Sequence, residues 1–183
     1  MKVECMITKE ATKYWKKAIR RDRVMVCREE NNIYVLNGYN AFIFPAVPLI
    51  WETLAQPAFM VDMPAPGTAF QYFRGEKQWA SVEDIVAIFN RQLSDETPAT
   101  RTAFIFDTGE KILRLYKNGN GNISGVDAAY DLMVDHSQVK EIYCGGRYSP
   151  VVLKNDYITA LIMPVRMCGN FPDQVRDTFE KLL

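Results

Sequence analysis

At 183 residues, 48% hydrophobic and 24% charged, the chain is long enough for one well-buried core, and a single domain over residues 1–183 is expected. Lysine plus arginine equals aspartate plus glutamate at 22 each, so no global field draws the molecule to nucleic acid or to an anionic membrane. The longest apolar stretch, residues 41–51, is broken by Pro45 and Pro48 and too short to span a bilayer, and residues 1–20 hold no leader-like apolar core. A cytoplasmic protein without a membrane partner is expected.

Residues 3–7 alternate as a strand, and Thr8 can cap a helix that runs to about Arg21. Ala11, Tyr14, Trp15, Ala18 and Ile19 recur there at the spacing of one buried stripe. Lys9, Lys13, Lys16 and Arg20 point away from that stripe, with Lys17 and Arg21 on its flanks. The basic face has two readings, a solvated surface or a surface for phosphates. Three short strands follow, at 24–28, 33–36 and 41–44, joined by turns at 30–32 and 37–40.

Residues 47–111 read as an insert. Pro48 opens an apolar segment to Ala55 that suits a helix or a crossover, and Pro57, Pro64, Pro66 and Gly67 predict a loop. Ser81 caps a helix over 82–93 whose Val82, Ile85, Val86, Phe89 and Leu93 should pack on the main core. Residues 101–106 and 111–116 form a hairpin around Asp107-Thr108-Gly109-Glu110.

From residue 112 the first order returns: strand, helix over 126–134, strand over 139–144, then a hairpin of 151–153 with 158–163 turning at Lys154-Asn155-Asp156. Val126, Ala129, Tyr130, Met133 and Val134 match the five buried positions of the first helix at a constant offset of 115, which predicts two repeats, 3–46 and 112–166. A tail helix over 172–183 ends the chain, with Val175, Phe179 and Leu182 on one side.

Two copies of strand, helix and three strands, the second closing on Met163-Pro164-Val165-Arg166, resemble one domain of the bacterial DNA polymerase sliding clamps, most of all the C-terminal domain. The resemblance covers residues 3–46 and 112–166, about half of the chain. It implies an α+β, DNA-clamp-like fold of two β-α-β-β-β repeats with antiparallel sheets and two adjacent helices, to which the insert 47–111 and the tail 167–183 are added. In that family six such domains ring duplex DNA with their helices inward, and partners lay a peptide in a groove beside the final strand.

The resemblance therefore implies a DNA-facing role for Lys9, Lys13, Lys16 and Arg20, and a partner-binding role for Met163, Pro164, Val165 and Arg166. A clamp protomer has two or three domains where this chain has one. The positions matching Lys16 and Arg20 are Asp131 and Asp135, and Asp127, Asp131 and Asp135 form an acidic stripe expected to be solvated. Any duplex binding should then be weak and centred on the Lys9–Lys13 end.

No catalytic constellation, metal site or cofactor motif stands out. His136, the one histidine, is expected at the surface, and Asn118-Gly119-Asn120-Gly121-Asn122 lacks the Gly-Lys-Ser/Thr of a phosphate cradle and reads as a turn. Cys5, Cys27, Cys144 and Cys168 lack paired spacing and suit free, mostly buried thiols. The expected function is a non-catalytic clamp-like accessory of DNA replication or processing, of a kind mobile elements carry. The alternative is an interaction or structural module with the same fold and no DNA contact.

Overall fold

The computed structural model describes residues 5–93, 97–146, 148–166, 175 and 177. Helix α1 (Lys9–Arg21) is capped by Thr8, whose hydroxyl accepts from the Glu10 N–H, and it buries Ala11, Trp15 and Ala18. The predicted strand at residues 3–7 falls partly outside the described residues; within them, Ile7 makes an isolated bridge to Val134.

Strands β1 (Arg23–Glu29), β2 (Asn32–Leu36) and β3 (Asn40–Pro45) form an antiparallel meander. A second meander is made by β9 (Glu141–Cys144), β10 (Val151–Lys154) and β11 (Thr159–Ile162). The two meet through their third strands, with Phe42 opposite Ala160. Two of the three turns expected within them are held by asparagine side chains: the Asn37 side-chain carbonyl accepts from the Tyr39 and Asn40 N–H groups, and that of Asn155 from those of Tyr157 and Ile158.

The segment 47–111 is not an appendage to this sheet. Strands β4 (Thr68–Phe73) and β5 (Glu76–Trp79), between the expected loop and the Ser81 cap, form an antiparallel hairpin whose β4 pairs onto β1, completing an eight-stranded sheet of order β5-β4-β1-β2-β3-β11-β10-β9. Their turn is Arg74-Gly75, both at positive φ (50° and 89°), the two-residue geometry that matches strand twist.

The apolar segment after Pro48 is helical. It comprises α2 (Pro48–Ile50), a π turn over Trp51–Ala55 and α3 (Gln56–Phe59). Pro57 has no N–H for the Thr53 carbonyl, which is a local reason for the widened turn.

The sheet is covered on both faces. On one, Trp15 of α1 packs edge-on against Phe42 and stacks with Phe59, which also stacks on Trp51 and Tyr72. On the other, Ile85 and Phe89 of α4 (Val82–Gln92), capped by Ser81, bury against Met25, Cys27, Tyr34 and Leu161. A separate antiparallel sheet contains β6 (Ala99–Asp107), β7 (Ile112–Asn118) and β8 (Ile123–Asp127). It is tied to the main sheet by bridges from Pro98 to Tyr143 and from Val126 to Pro164.

The helix predicted over 126–134 is mostly not a helix. Val126 lies in β8, α5 is the single turn Ala128–Asp131, and Met133 and Val134 are buried beyond it in irregular chain. The turn at Asn118–Asn122 explains the change. The Asn118 side chain accepts from the N–H groups of Asn120 and Asn122, closing a β7–β8 hairpin that carries strand pairing through Asp127. Residues 128–131 are then left for one turn before the chain meets Met6–Thr8. The two helices of the expected repeats are thus unequal, thirteen residues against four. The predicted tail helix lies outside the described residues apart from helical Val175 and Asp177; Val175 is buried against Leu113 and Leu115.

Candidate nucleic-acid interface

Lys9, Lys13, Lys16 and Arg20 are all exposed along α1, as are Lys17 and Arg21. Their surroundings differ from end to end. At the N-terminal end Lys13 Nζ is paired with Glu10 at 2.6 Å. The acidic segment abuts this end too: the Thr8 N–H donates to the Met133 carbonyl, the Thr8 hydroxyl to that of Leu132, and the Asp135 N–H to that of Met6. Asp135 also turns its carboxylate to the N–H and hydroxyl of Ser137. Lys16 lies eight residues past Thr8, about 12 Å along the axis at 1.5 Å per residue.

Asp131 is not on a solvated stripe. It is 2% exposed and sits inside a cluster drawn from the second sheet. Arg101 on β6 donates to Asp131 Oδ2 from Nη2 (2.6 Å) and Nε (3.3 Å), Tyr116 on β7 donates its hydroxyl to Oδ1, Arg114 Nε lies 3.7 Å from Oδ2, and His136 Nε2 lies 3.0 Å from Oδ1. Burial alone would raise the carboxyl's pKa, but the hydrogen bonds from His136, Arg101 and Tyr116 outweigh it and hold Asp131 down to about 2. Burial, reinforced by Asp131, pushes the Tyr116 phenol up. His136 is accordingly a half-buried partner of Asp131 rather than a free surface histidine.

Asp131 therefore offsets neither Lys16 nor Arg20. The end of α1 expected to be neutralised is the open one, and the Lys9–Lys13 end is the one flanked by acid.

The C-terminal end of α1 joins a surface that sequence reasoning missed. The Gly75 N–H donates to the Ile19 carbonyl at 2.8 Å, which docks the β4–β5 turn on the last turn of α1. Arg74 and Lys77 of that hairpin are exposed beside the helix that carries Arg20 and Arg21. The Arg-Gly pair between two aromatic-rich runs was the available sequence signal.

Met163, Pro164, Val165 and Arg166, expected in the final strand, lie past the end of β11 at Ile162 and divide between two environments. Met163 lines a cleft of about 220 Å³ with Leu36, Ala41, Ile88, Phe89 and Leu161, between α4 and the end of the β2–β3 hairpin. Pro164 bridges Val126, Val165 packs with Leu113, Leu115 and Val175, and Arg166 is exposed. The free thiols Cys27 and Cys144 are buried and Cys5 is half-buried, with Cys27 pushed up to about 12 by burial; Cys168 lies outside the described residues. No helix among the described residues is long and apolar enough to cross a membrane.

No family model and no curated protein sequence matches the chain. Among solved structures, it is similar to a protein assigned as a DNA polymerase III beta subunit from Eubacterium rectale ATCC 33656, at 12% identity and a TM-score of 0.34, over 86% of this chain and 64% of that one. It is also similar to DNA polymerase III subunit beta from Borrelia burgdorferi, solved in complex with a natural product, at 12% identity and a TM-score of 0.35, over 86% of this chain and 62% of that one. The chain spans less than two thirds of the length of either.

Proposed function

We propose that the protein is a non-catalytic, clamp-like accessory of DNA replication or processing that contacts phosphates through α1. The observation that carries this reading is the exposed basic face of α1, from which Asp131 is withdrawn into its own ion cluster. Two antiparallel meanders joined through β3 and β11 fit the repeats 3–46 and 112–166, and the Met163-Pro164-Val165-Arg166 ending fits the same family.

Phosphate contacts release counterions, so affinity for duplex should fall steeply as salt rises. Titration of labelled duplex across a salt series tests this: binding with a negative log–log slope supports the reading, and no binding at low salt moves the protein to the interaction-module class.

A second reading has its own observation, the apolar cleft at Met163. It suits one or two apolar side chains of a partner peptide, with Arg166 exposed beyond it to meet an acidic group. Met163→Lys should abolish capture of a clamp-binding peptide while duplex binding persists; unchanged capture would remove the cleft from the function.

A further inference from the structure

The surface where the β4–β5 hairpin docks on α1 carries more than charge. Directly opposed residues of an antiparallel pair share a face, and the register sets Trp79 opposite Phe70 and Lys77 opposite Tyr72. Phe70 and Tyr72 belong to the core on the α1 side, so Trp79 and Lys77 also face that side, at the outer edge of the eight-stranded sheet. Trp79 is 81% exposed, whereas Trp15 and Trp51 are buried. Lys77 Nζ lies 4.4 Å from the centre of the Phe70 ring and 6.0 Å from that of Trp79, which holds an ammonium beside the open indole.

Further cations stand on the two elements joined by the Gly75–Ile19 hydrogen bond. Arg74 stands in the turn that is hydrogen-bonded to α1, and Lys16, Lys17, Arg20 and Arg21 follow along the helix. The acids in these segments are Asp22 and Glu76. An exposed indole with Lys77 beside it, on a hairpin whose turn docks on the basic end of α1, is complementary to a phosphate backbone whose bases are free to stack. A duplex, with its bases already stacked on one another, would use the cations and leave the indole idle.

Resting on the DNA-contact reading above, we infer that Trp79, Lys77 and Arg74 together with the C-terminal half of α1 form a binding site for single-stranded nucleic acid, in which Trp79 is the stacking platform. The strand would leave a duplex held on α1, or meet the site alone.

The test uses the whole protein and an oligothymidylate, read by tryptophan fluorescence, because the exposed indole is the one a ligand can quench. Parallel arms use duplex DNA and anionic phosphatidylglycerol vesicles. Quenching by the oligonucleotide is expected, with affinity about tenfold lower in Trp79→Ala and largely kept in Trp79→Phe, which retains a ring.

Equal oligonucleotide affinity for wild type and Trp79→Ala overturns the inference and leaves the DNA-contact reading standing, as does binding of duplex alone. Absence of binding to either nucleic acid overturns both. Quenching by the vesicles alone also overturns it and reassigns the surface to membranes. Because Trp79 lies on the surface, unchanged far-UV circular dichroism should confirm that each variant is folded.

Discussion

The two helical segments that precede the meanders carry the same apolar spacing and have opposite fates. In α1 the stripe of Ala11, Trp15 and Ala18 is driven into the aromatic core and six cations are left in water. In the stretch after β8 the matching positions are divided among a strand, one helical turn and irregular chain, and the charged residue at the centre goes inward. Periodicity alone cannot separate these outcomes, because Val126, Met133 and Val134 are buried in either conformation. What decides is the neighbour. The second sheet offers hydrogen bonds from Arg101 and Tyr116 and the nearby charge of Arg114 to Asp131, and a carboxylate so met is better held inside than solvated on a helix face.

The largest effect that would break this contrast is at its buried end. Asp131→Ala leaves two arginines without their carboxylate and should cost about 3–5 kcal/mol, whereas Asp135→Ala, which loses a local cap to Ser137, should cost about 1 kcal/mol. Urea unfolding of both variants checks it, and similar midpoints would mean that the cluster is not what holds the second sheet in place.

The same carboxylate should dominate acid sensitivity. Its folded pKa, about 2, lies below the ordinary value of 3.8, so its contribution is complete above that value and is lost as pH falls through about 2. The difference corresponds to roughly 2 kcal/mol. Stability measured from mild acid downward should fall less steeply in Asp131→Asn than in the wild type; parallel curves would contradict this.

Thr8 links the two segments, capping α1 and donating its hydroxyl to the Leu132 carbonyl. Thr8→Ala should cost about 1 kcal/mol, and hydrogen exchange should report the loss in the first turn of α1 together with residues around 132–135. Protection lost in α1 alone would show that the segments are not coupled there.

Much of the fold was legible in the sequence. Helices α1 and α4 announced themselves by cap and stripe, and the β6–β7 and β10–β11 hairpins by their turn residues, since each signal lies within the element that it specifies. The β4–β5 hairpin was hidden behind a run of prolines, and its Arg74-Gly75 turn depends on positive φ at a residue not usually found there. The burial of Asp131 depends on residues from β6 and β7 whose placement is tertiary, so the acidic stripe at i, i+4, i+8 read as solvent-facing. The same tertiary fact reversed the expected polarity of the basic face, from the Lys9–Lys13 end to the Lys16–Arg20 end.

The smallest effect on stability should come from the exposed cations. Replacing Lys9, Lys13, Lys16 and Arg20 together by glutamine should change it by less than about 0.5 kcal/mol, because none touches the buried stripe and the Lys13–Glu10 pair is exposed. A larger loss, measured by urea unfolding, would mean that the face has a structural role.

The most direct measurement divides that face into its halves: labelled duplex is titrated at low and moderate salt with wild type, the Lys9→Gln/Lys13→Gln pair and the Lys16→Gln/Arg20→Gln pair. Contact through the open end of α1 predicts that the second pair weakens binding severalfold and makes the salt slope shallower by about two, while the first pair changes little. Equal affinities for all three proteins would contradict the assignment of α1 as the DNA-contacting element.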